Sequence, residues 1–245
     1  MNEELKKFYQ DRKDNIIKQG HTDELKSLGI DFIKKTSKTK YSYNFSWMGS
    51  PIIAYPQDMI AMQDIIWDLK PDLIIECGVA HGGSIIYYAS LLNLIGTGLV
   101  LGIDIDIRTH NRKLIESHPM SNRIELIEGS SISEVVYKQV MKIAESKKKI
   151  LVCLDSNHTH DHVLKELELY APLVSKDSYC VVFDTVVEDM GADWDWGDRD
   201  WGVGNNPKTA VHEFLKTNND FIIDKSIEDK LLVTVAPDGF LKRVK

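Results

Sequence analysis

The stretch Asp72-Leu-Ile-Ile-Glu-Cys-Gly-Val-Ala-His-Gly-Gly-Ser84 decides the fold of this chain. An apolar run ends at the acid Glu76, a glycine-rich turn follows, and an apolar segment over 85–95 is typical of a helix. α/β folds build a nucleotide pocket from a strand, a tight glycine loop and a helix N-terminus. We therefore expect a ligand to bind at this turn.

The spacing of the glycines indicates the kind of ligand. Gly78, Gly82 and Gly83 form a G-x-x-x-G-G pattern, whereas dinucleotide sites use G-x-G-x-x-G. The next predicted strand ends in Asp104, and an acid at that place can accept hydrogen bonds from both hydroxyls of a ribose. With an acid before the loop and no glycine at the pyrophosphate position, the pattern favours S-adenosylmethionine over NAD.

Composition excludes several classes of protein. The 245 residues carry a net charge of −7, which argues against non-specific nucleic-acid binding. Cys77, Cys153 and Cys180 lie in apolar runs, so we expect buried, reduced packing residues and a cytoplasmic protein. No apolar stretch reaches the length of a membrane span, and the N-terminus is not a signal peptide.

Strands alternate with helices along most of the chain, which predicts an α/β fold. The predicted strands are 72–77, 98–104, 123–128, 149–155, 178–184, 220–226 and 230–236. The predicted helices include 83–95, 109–117, 131–147, 160–171 and 207–217. A short link joins the last two strands, so we expect a seven-stranded, mostly parallel sheet with a reversed last strand and helices on both faces. This is a Rossmann-like methyltransferase architecture.

Two parts of the chain are distinguished by composition. Residues 1–56 form an N-terminal segment of charged helix followed by an aromatic loop, and residues 57–245 form the methyltransferase domain. Within that domain, 186–206 is a long, lid-like loop after the fifth strand, and long loops inside compact domains are usually functional.

Ligands of open parallel sheets bind at the carboxyl ends of the strands, where this chain places acids and serines. Ser131 has a second interpretation, since a serine at that place can cap the following helix. The predicted contacts to the cofactor are Glu76, Gly78, Gly82, Gly83, Ser84, Asp104, Ser130, Ser131 and Asp155.

Asp155 and Asp184 end neighbouring predicted strands, and two carboxylates at one rim are best explained by a hard divalent cation such as Mg²⁺. The metal would lower the pKa of a substrate hydroxyl. His158, three residues after Asp155, is the candidate general base, so His158 and Asp155 are the predicted catalytic pair. An alternative is a non-haem iron site built from His158, His160 and Asp155.

The loop 186–206 contains Trp194, Trp196 and Trp201 among five aspartates and one arginine. Tryptophans flanked by carboxylates suit a sugar ring, so the three are predicted substrate contacts. The same residues would also suit an interface with a partner subunit.

Four motifs together resemble the cephalosporin hydroxylase / rhamnosyl O-methyltransferase family. They are Glu76 to Ser84, Gly102 to Arg108, Asp155-Ser-Asn-His158 and Pro207-Lys-Thr-Ala210, and the resemblance covers roughly 41–243. It implies a methyltransferase that uses S-adenosylmethionine and acts on hydroxyls of sugars or small polar metabolites. We also expect a homo-oligomer.

The resemblance implies a metal site at Asp155 and at an acidic pair after the fifth strand. The family's Glu-Asp-Thr is here Phe183-Asp184-Thr185, so one carboxylate is missing, and the implied ligands are Asp155, Asp184 and Thr185. Glu188, Asp189 or water would replace the missing ligand. Phe183 also leaves open a non-catalytic scaffold that binds S-adenosylmethionine. Catechol-type O-methyltransferases, which the chain also resembles, place a base where His158 stands.

Overall fold

The computed structural model describes residues 1–245 and contains a seven-stranded sheet with helices on both faces. The strands are β1 (Phe45–Trp47), β2 (Ser50–Ile52), β3 (Leu73–Cys77), β4 (Leu99–Asp104), β5 (Ile124–Glu128), β6 (Ile150–Leu154), β7 (Tyr179–Val182), β8 (Phe221–Ile223) and β9 (Phe240–Arg243). The helices are α1 (Glu3–Gly20), α2 (Asp23–Ser37), α3 (Pro56–Leu69), α4 (Gly83–Ile95), α5 (Thr109–Ser117), α6 (Glu134–Ala144), α7 (His160–Tyr170), α8 (Pro207–Thr217) and α9 (Lys225–Leu231).

The strand order of the large sheet is β5-β4-β3-β6-β7-β9-β8. The first five strands in this order are parallel, and β9 runs antiparallel to both of its neighbours. The central strands β3 and β6 are fully buried, as apolar runs covered on both faces require. One core lies between the sheet and α6, α7 and α8, and the other lies between the sheet and α3, α4 and α9.

The predicted fold class is confirmed, but the reversed strand is misplaced in the prediction. It is β9, whereas the predicted strand 230–236 contains the end of α9 and a loop. Asp224 caps this helix by accepting a hydrogen bond from the Ser226 N–H, and Ile227 is buried. A helix therefore occupies the link that the sequence pattern suggested to be a hairpin turn.

The aromatic segment before α3 contains a β1–β2 hairpin that packs on α4. The Trp47 indole N–H donates to the Ser90 hydroxyl at 3.0 Å, and its ring lies edge-on to Tyr87. A Cβ on Gly83 would lie 2.2 Å from the Pro51 carbonyl oxygen, so the hairpin fits against α4 only because residue 83 is glycine. The hairpin thereby becomes a wall of the cleft described below.

Two further observations bear on the sequence predictions. The three cysteines are buried and unpaired, as expected of packing residues. None of the helices combines the length and apolar character that a bilayer span requires.

Candidate active site

The glycine turn after β3 lies against the end of β6. Gly78 has φ +99°, and a Cβ there would lie 2.1 Å from the carbonyl oxygen of Asp155. The left-handed backbone and this close approach both require glycine. The turn that the sequence predicts as a cofactor contact therefore touches the strand end that bears the first predicted metal ligand.

Glu76 lines a cleft beside this turn and is 1% exposed. The Ser84 hydroxyl donates to its carboxylate at 2.7 Å. Burial raises the pKa of Glu76 to about 8, even though the hydrogen bond from Ser84 acts in the opposite direction. Glu76 is therefore an acid that a bound cation would help to ionise.

Asp104, at the end of β4, holds the glycine turn from its other side. One carboxylate oxygen accepts the N–H groups of Val79 and Ala80 at 2.8 and 3.1 Å, and the other accepts the Asp106 N–H at 3.1 Å. Since a carboxylate oxygen can accept two hydrogen bonds, the second oxygen retains capacity for a ligand hydroxyl. The interaction with the loop is an additional role that sequence reasoning did not reveal.

The serines after β5 differ from each other. Ser130 is partly exposed at the rim of the sheet, whereas Ser131 is buried and its hydroxyl donates to Glu166. The alternative role of Ser131 as a helix cap is wrong, because Ser133 accepts the Val136 N–H and α6 begins at residue 134. The Ser131 hydroxyl is thus directed into a buried polar network.

The ends of β6 and β7 bring together the predicted catalytic and metal residues. Asp155, His158 and Asp184 can each offer one ligand atom, and these atoms all lie within 4.8 Å of one another. His158 Nε2 lies 3.1 Å from an Asp184 carboxylate oxygen. Burial and the neighbouring Asp184 and Glu76 carboxylates raise the pKa of Asp155 well above its usual range. Asp184 itself has φ +54°, an uncommon backbone conformation of the kind found at functional sites.

Three other candidates for the metal site are directed elsewhere. The Thr185 hydroxyl is fully buried and donates to the Pro237 carbonyl at 2.6 Å, which sets it apart from the cluster. Glu188 accepts hydrogen bonds from Gly204 and Asn206, and Asp189 binds Lys208 at 2.8 Å. Neither Glu188 nor Asp189 therefore takes the place of the carboxylate that the resemblance implies at position 183.

The alternative iron site does not form. The His160 imidazole hydrogen-bonds the Thr209 hydroxyl at 2.7 Å, and His160 is absent from the cluster of possible metal ligands. His162 faces Glu166 in the network below Ser131. Of the three neighbouring histidines, only His158 reaches the two aspartates.

The cleft around Glu76 has a volume of about 280 Å³ and is strongly acidic. Its lining includes the acids Asp58, Glu76, Asp155 and Asp184 but no lysine or arginine. Asp58 was missed by sequence reasoning, because an acid in the first turn of a helix is ordinarily explained by the helix dipole. Here Asp58 is buried, accepts the Val235 N–H at 3.0 Å, and has its pKa raised by burial to about 7. A cleft lined by four acids and by no lysine or arginine is suited to a positively charged ligand.

A second cleft, of about 1070 Å³, opens between the end of α2 and the tryptophan loop 186–206. All three predicted substrate tryptophans line it, and the ring of Trp201 stands edge-on to the His158 imidazole at 4.9 Å. His158 and Asp184 line both clefts. The two spaces therefore meet at the predicted catalytic residues.

A glycine loop after the first central strand, acids at the following strand ends and a reversed strand β9 define a Rossmann-like methyltransferase. The chain belongs to the rhamnosyl O-methyltransferase/CmcI family, whose sequence model matches residues 39–244. This confirms the predicted family and the predicted enzyme class.

Curated relatives and solved structures agree with this assignment. The chain is 31% identical over 204 residues to a rhamnosyl O-methyltransferase of Mycobacterium tuberculosis H37Rv, covering 81% of this chain and 78% of the relative. The rhamnosyl O-methyltransferase of Mycobacterium leprae is 30% identical over 207 residues, covering 81% and 82%. A structure of CmcI with Mg and S-adenosylmethionine superposes with a TM-score of 0.56 at 18% identity, covering 83% of this chain and 78% of that one, and supports the fold.

Proposed function

We propose that this protein transfers the methyl group of S-adenosylmethionine to a hydroxyl of a sugar-containing acceptor, with Mg²⁺ at Asp155 and Asp184. One observation carries the proposal: an acidic cleft and a tryptophan-lined cleft share His158 and Asp184. A cationic sulfonium suits the first cleft, and sugar rings suit aromatic faces in the second. The cofactor and metal named for the CmcI structure agree with this arrangement.

The residues present fit both groups. Glu76, Gly78, Ser84 and Asp104 form or border the turn that would hold the cofactor, and the carboxylates of Asp155 and Asp184 lie close together in a cleft that no lysine or arginine lines. Carboxylate oxygens are the ligands that Mg²⁺ prefers. When bound, S-adenosylmethionine supplies an electrophilic methyl group, and Mg²⁺ makes an acceptor hydroxyl more acidic.

His158 would take the proton of that hydroxyl. If its Nε2 carries hydrogen and donates to Asp184, the free lone pair is on Nδ1, which has no hydrogen-bond partner within the chain. Asp184 would then orient the imidazole and stabilise the imidazolium, while its other oxygen remains available to the metal. The edge-on contact with Trp201 limits rotation of the ring. Positioning of the acceptor oxygen would supply most of the remaining rate.

Crystals grown with S-adenosylhomocysteine and MnCl₂ test the arrangement directly. We expect an anomalous manganese peak between the carboxylates of Asp155 and Asp184, and the nucleoside at the turn 78–84. The variants Asp155→Asn and Asp184→Asn should lose the peak and retain the nucleoside. A peak elsewhere would remove the metal from the proposal, and an empty turn would remove the cofactor.

A further inference from the structure

The tryptophan-lined cleft is rich in cations, in contrast to the acidic cleft beside it. Lys34, Lys35, Lys38, Lys40 and Arg199 line it, and its carboxylates are Asp184, Asp193 and Asp195. Asp184 is already paired with His158. The cleft is thus a local excess of cations in a chain of net charge −7.

None of the five cations has an ion-pair partner within the chain, where a pair means a nitrogen and a carboxylate oxygen within 4.0 Å. Lys40 and Arg199 instead lie over the rings of Tyr43 and Trp201. Favourable interaction with the helix dipole explains lysines in the last turn of α2. It does not explain Lys40 or Arg199, which lie outside that helix and approach the cleft from two separate segments.

Lys34 gives the clearest indication that a negatively charged ligand binds in this cleft. It is half-buried, and its Nζ would lie 3.7 Å from a Cβ built on Gly191 in the tryptophan loop. Asp193 approaches the same glycine without forming an ion pair with Lys34. Partial burial of an unpaired ammonium group is unfavourable. A ligand that places a negative charge beside Lys34 would reduce this cost, and its binding would be favoured.

We propose that the acceptor is an anionic sugar whose phosphate or diphosphate group binds the Lys34–Lys40 segment and Arg199, which we call the cationic wall. This inference rests on the proposed function and deepens it. The sugar ring would lie against the tryptophans, with one hydroxyl toward His158 and Asp184. Several lysines, each a compact point charge with three donors, suit a multiply charged phosphate group. The two clefts would thus sort their ligands by charge, the cationic donor in one and the anionic acceptor in the other.

Calorimetry with inorganic pyrophosphate tests the wall without knowledge of the sugar. The titration is done in EDTA so that no metal carries the binding. We expect wild-type protein to bind pyrophosphate, with an affinity that falls as salt rises. The double variant Lys34→Gln/Lys38→Gln should bind at least about tenfold more weakly, because charge-assisted hydrogen bonds are lost. The double variant Lys7→Gln/Lys13→Gln, which removes the same charge from exposed positions on α1, should bind like wild type.

The remaining ligands distinguish the sources of the charge. Glucose 1-phosphate that binds as tightly as pyrophosphate would show that one phosphate suffices, and much weaker binding would indicate a diphosphate. Glucuronate that binds more tightly than both would overturn the proposal in favour of a carboxylate. No pyrophosphate binding, or equal loss in the α1 control, would also overturn it. Failure of the proposed function would appear separately, as failure of the same wild-type protein to bind S-adenosylmethionine.

Discussion

At the scale of single residues, carboxylates that look alike in sequence have different hydrogen-bond partners in the site. Glu76 is buried with a serine donor, Asp104 accepts the N–H groups of the glycine turn, and Asp184 faces an imidazole. These surroundings, rather than residue type, distinguish the acids that we propose to bind the ribose, the sulfonium and the metal. Substitutions at single positions therefore have different expected results.

Replacement of His158 by alanine should lower methyl transfer by roughly 10²- to 10⁴-fold, the usual contribution of a general base. The measurement is transfer of radiolabelled methyl to a sugar acceptor on which wild type turns over. His160→Ala is the control, since His160 binds Thr209 outside the cluster. Normal turnover of His158→Ala would mean that the metal alone activates the acceptor hydroxyl.

Replacement of Asp104 by alanine should weaken S-adenosylmethionine binding by about 1–3 kcal/mol, because a ribose hydroxyl would lose its acceptor. Calorimetry measures this affinity, and thermal unfolding without cofactor reports the separate loss of the loop contacts. Asp106→Ala, which removes an exposed neighbouring carboxylate, should leave the affinity unchanged. An Asp104→Ala protein with wild-type affinity would place the ribose partner elsewhere.

At the scale of elements, the β1–β2 hairpin is held on α4 by few polar contacts. The Ser90 hydroxyl accepts from the Trp47 indole and donates to the Tyr87 carbonyl at 2.7 Å. Because this hairpin lines the acidic cleft through Pro51 and Ile52, its attachment matters to the site as well as to stability.

The variant Ser90→Ala should therefore destabilise the protein by about 1 kcal/mol, because the half-buried indole N–H of Trp47 loses its hydrogen bond. Chemical denaturation measures the change, and Ser46→Ala, on the exposed side of β1, is the matched control. Equal stability of the two variants would mean that water satisfies the indole N–H.

At the scale of the whole molecule, stability should depend on pH through the acidic cleft. The folded protein holds the pKa values of Asp58 and Glu76 near 7 and 8, above their ordinary values of 3.8 and 4.5. At pH values between the ordinary and the raised pKa of each acid, the folded state binds more protons than the unfolded state. These two acids therefore make the protein without ligand less stable as pH rises from about 4 to 8.

Thermal unfolding across this range should show the decline, and Glu76→Gln should reduce it, whereas Glu125→Gln at an exposed position should not. S-adenosylmethionine with Mg²⁺ should stabilise the protein more at pH 8 than at pH 6, since a bound cation favours the ionised acids. A ligand effect that is equal at both pH values would contradict this account of the cleft.

The parts of the molecule that sequence could predict are those with local signals. The glycine turn and the central strands follow from apolar runs and spacing within a few residues, and Asp155, His158 and Asp184 follow from their places at strand ends. The sequence pattern did not reveal strand β9, because this strand is only four residues long and follows the short helix α9, which Asp224 caps. Asp58 contacts Thr234 across 176 residues, and the cationic wall joins two distant segments, so no local pattern reveals either.

The two hydrogen bonds that Glu188 accepts have a consequence for how far the tryptophan loop can vary in sequence. By accepting hydrogen bonds from Gly204 and Asn206, this side chain joins the two ends of the tryptophan loop. The capping box of Asn206 and Thr209 anchors the second end to α8. The residues between are therefore held at both ends, so their sequence can vary while the sheet and the cluster of Asp155, His158 and Asp184 keep their places.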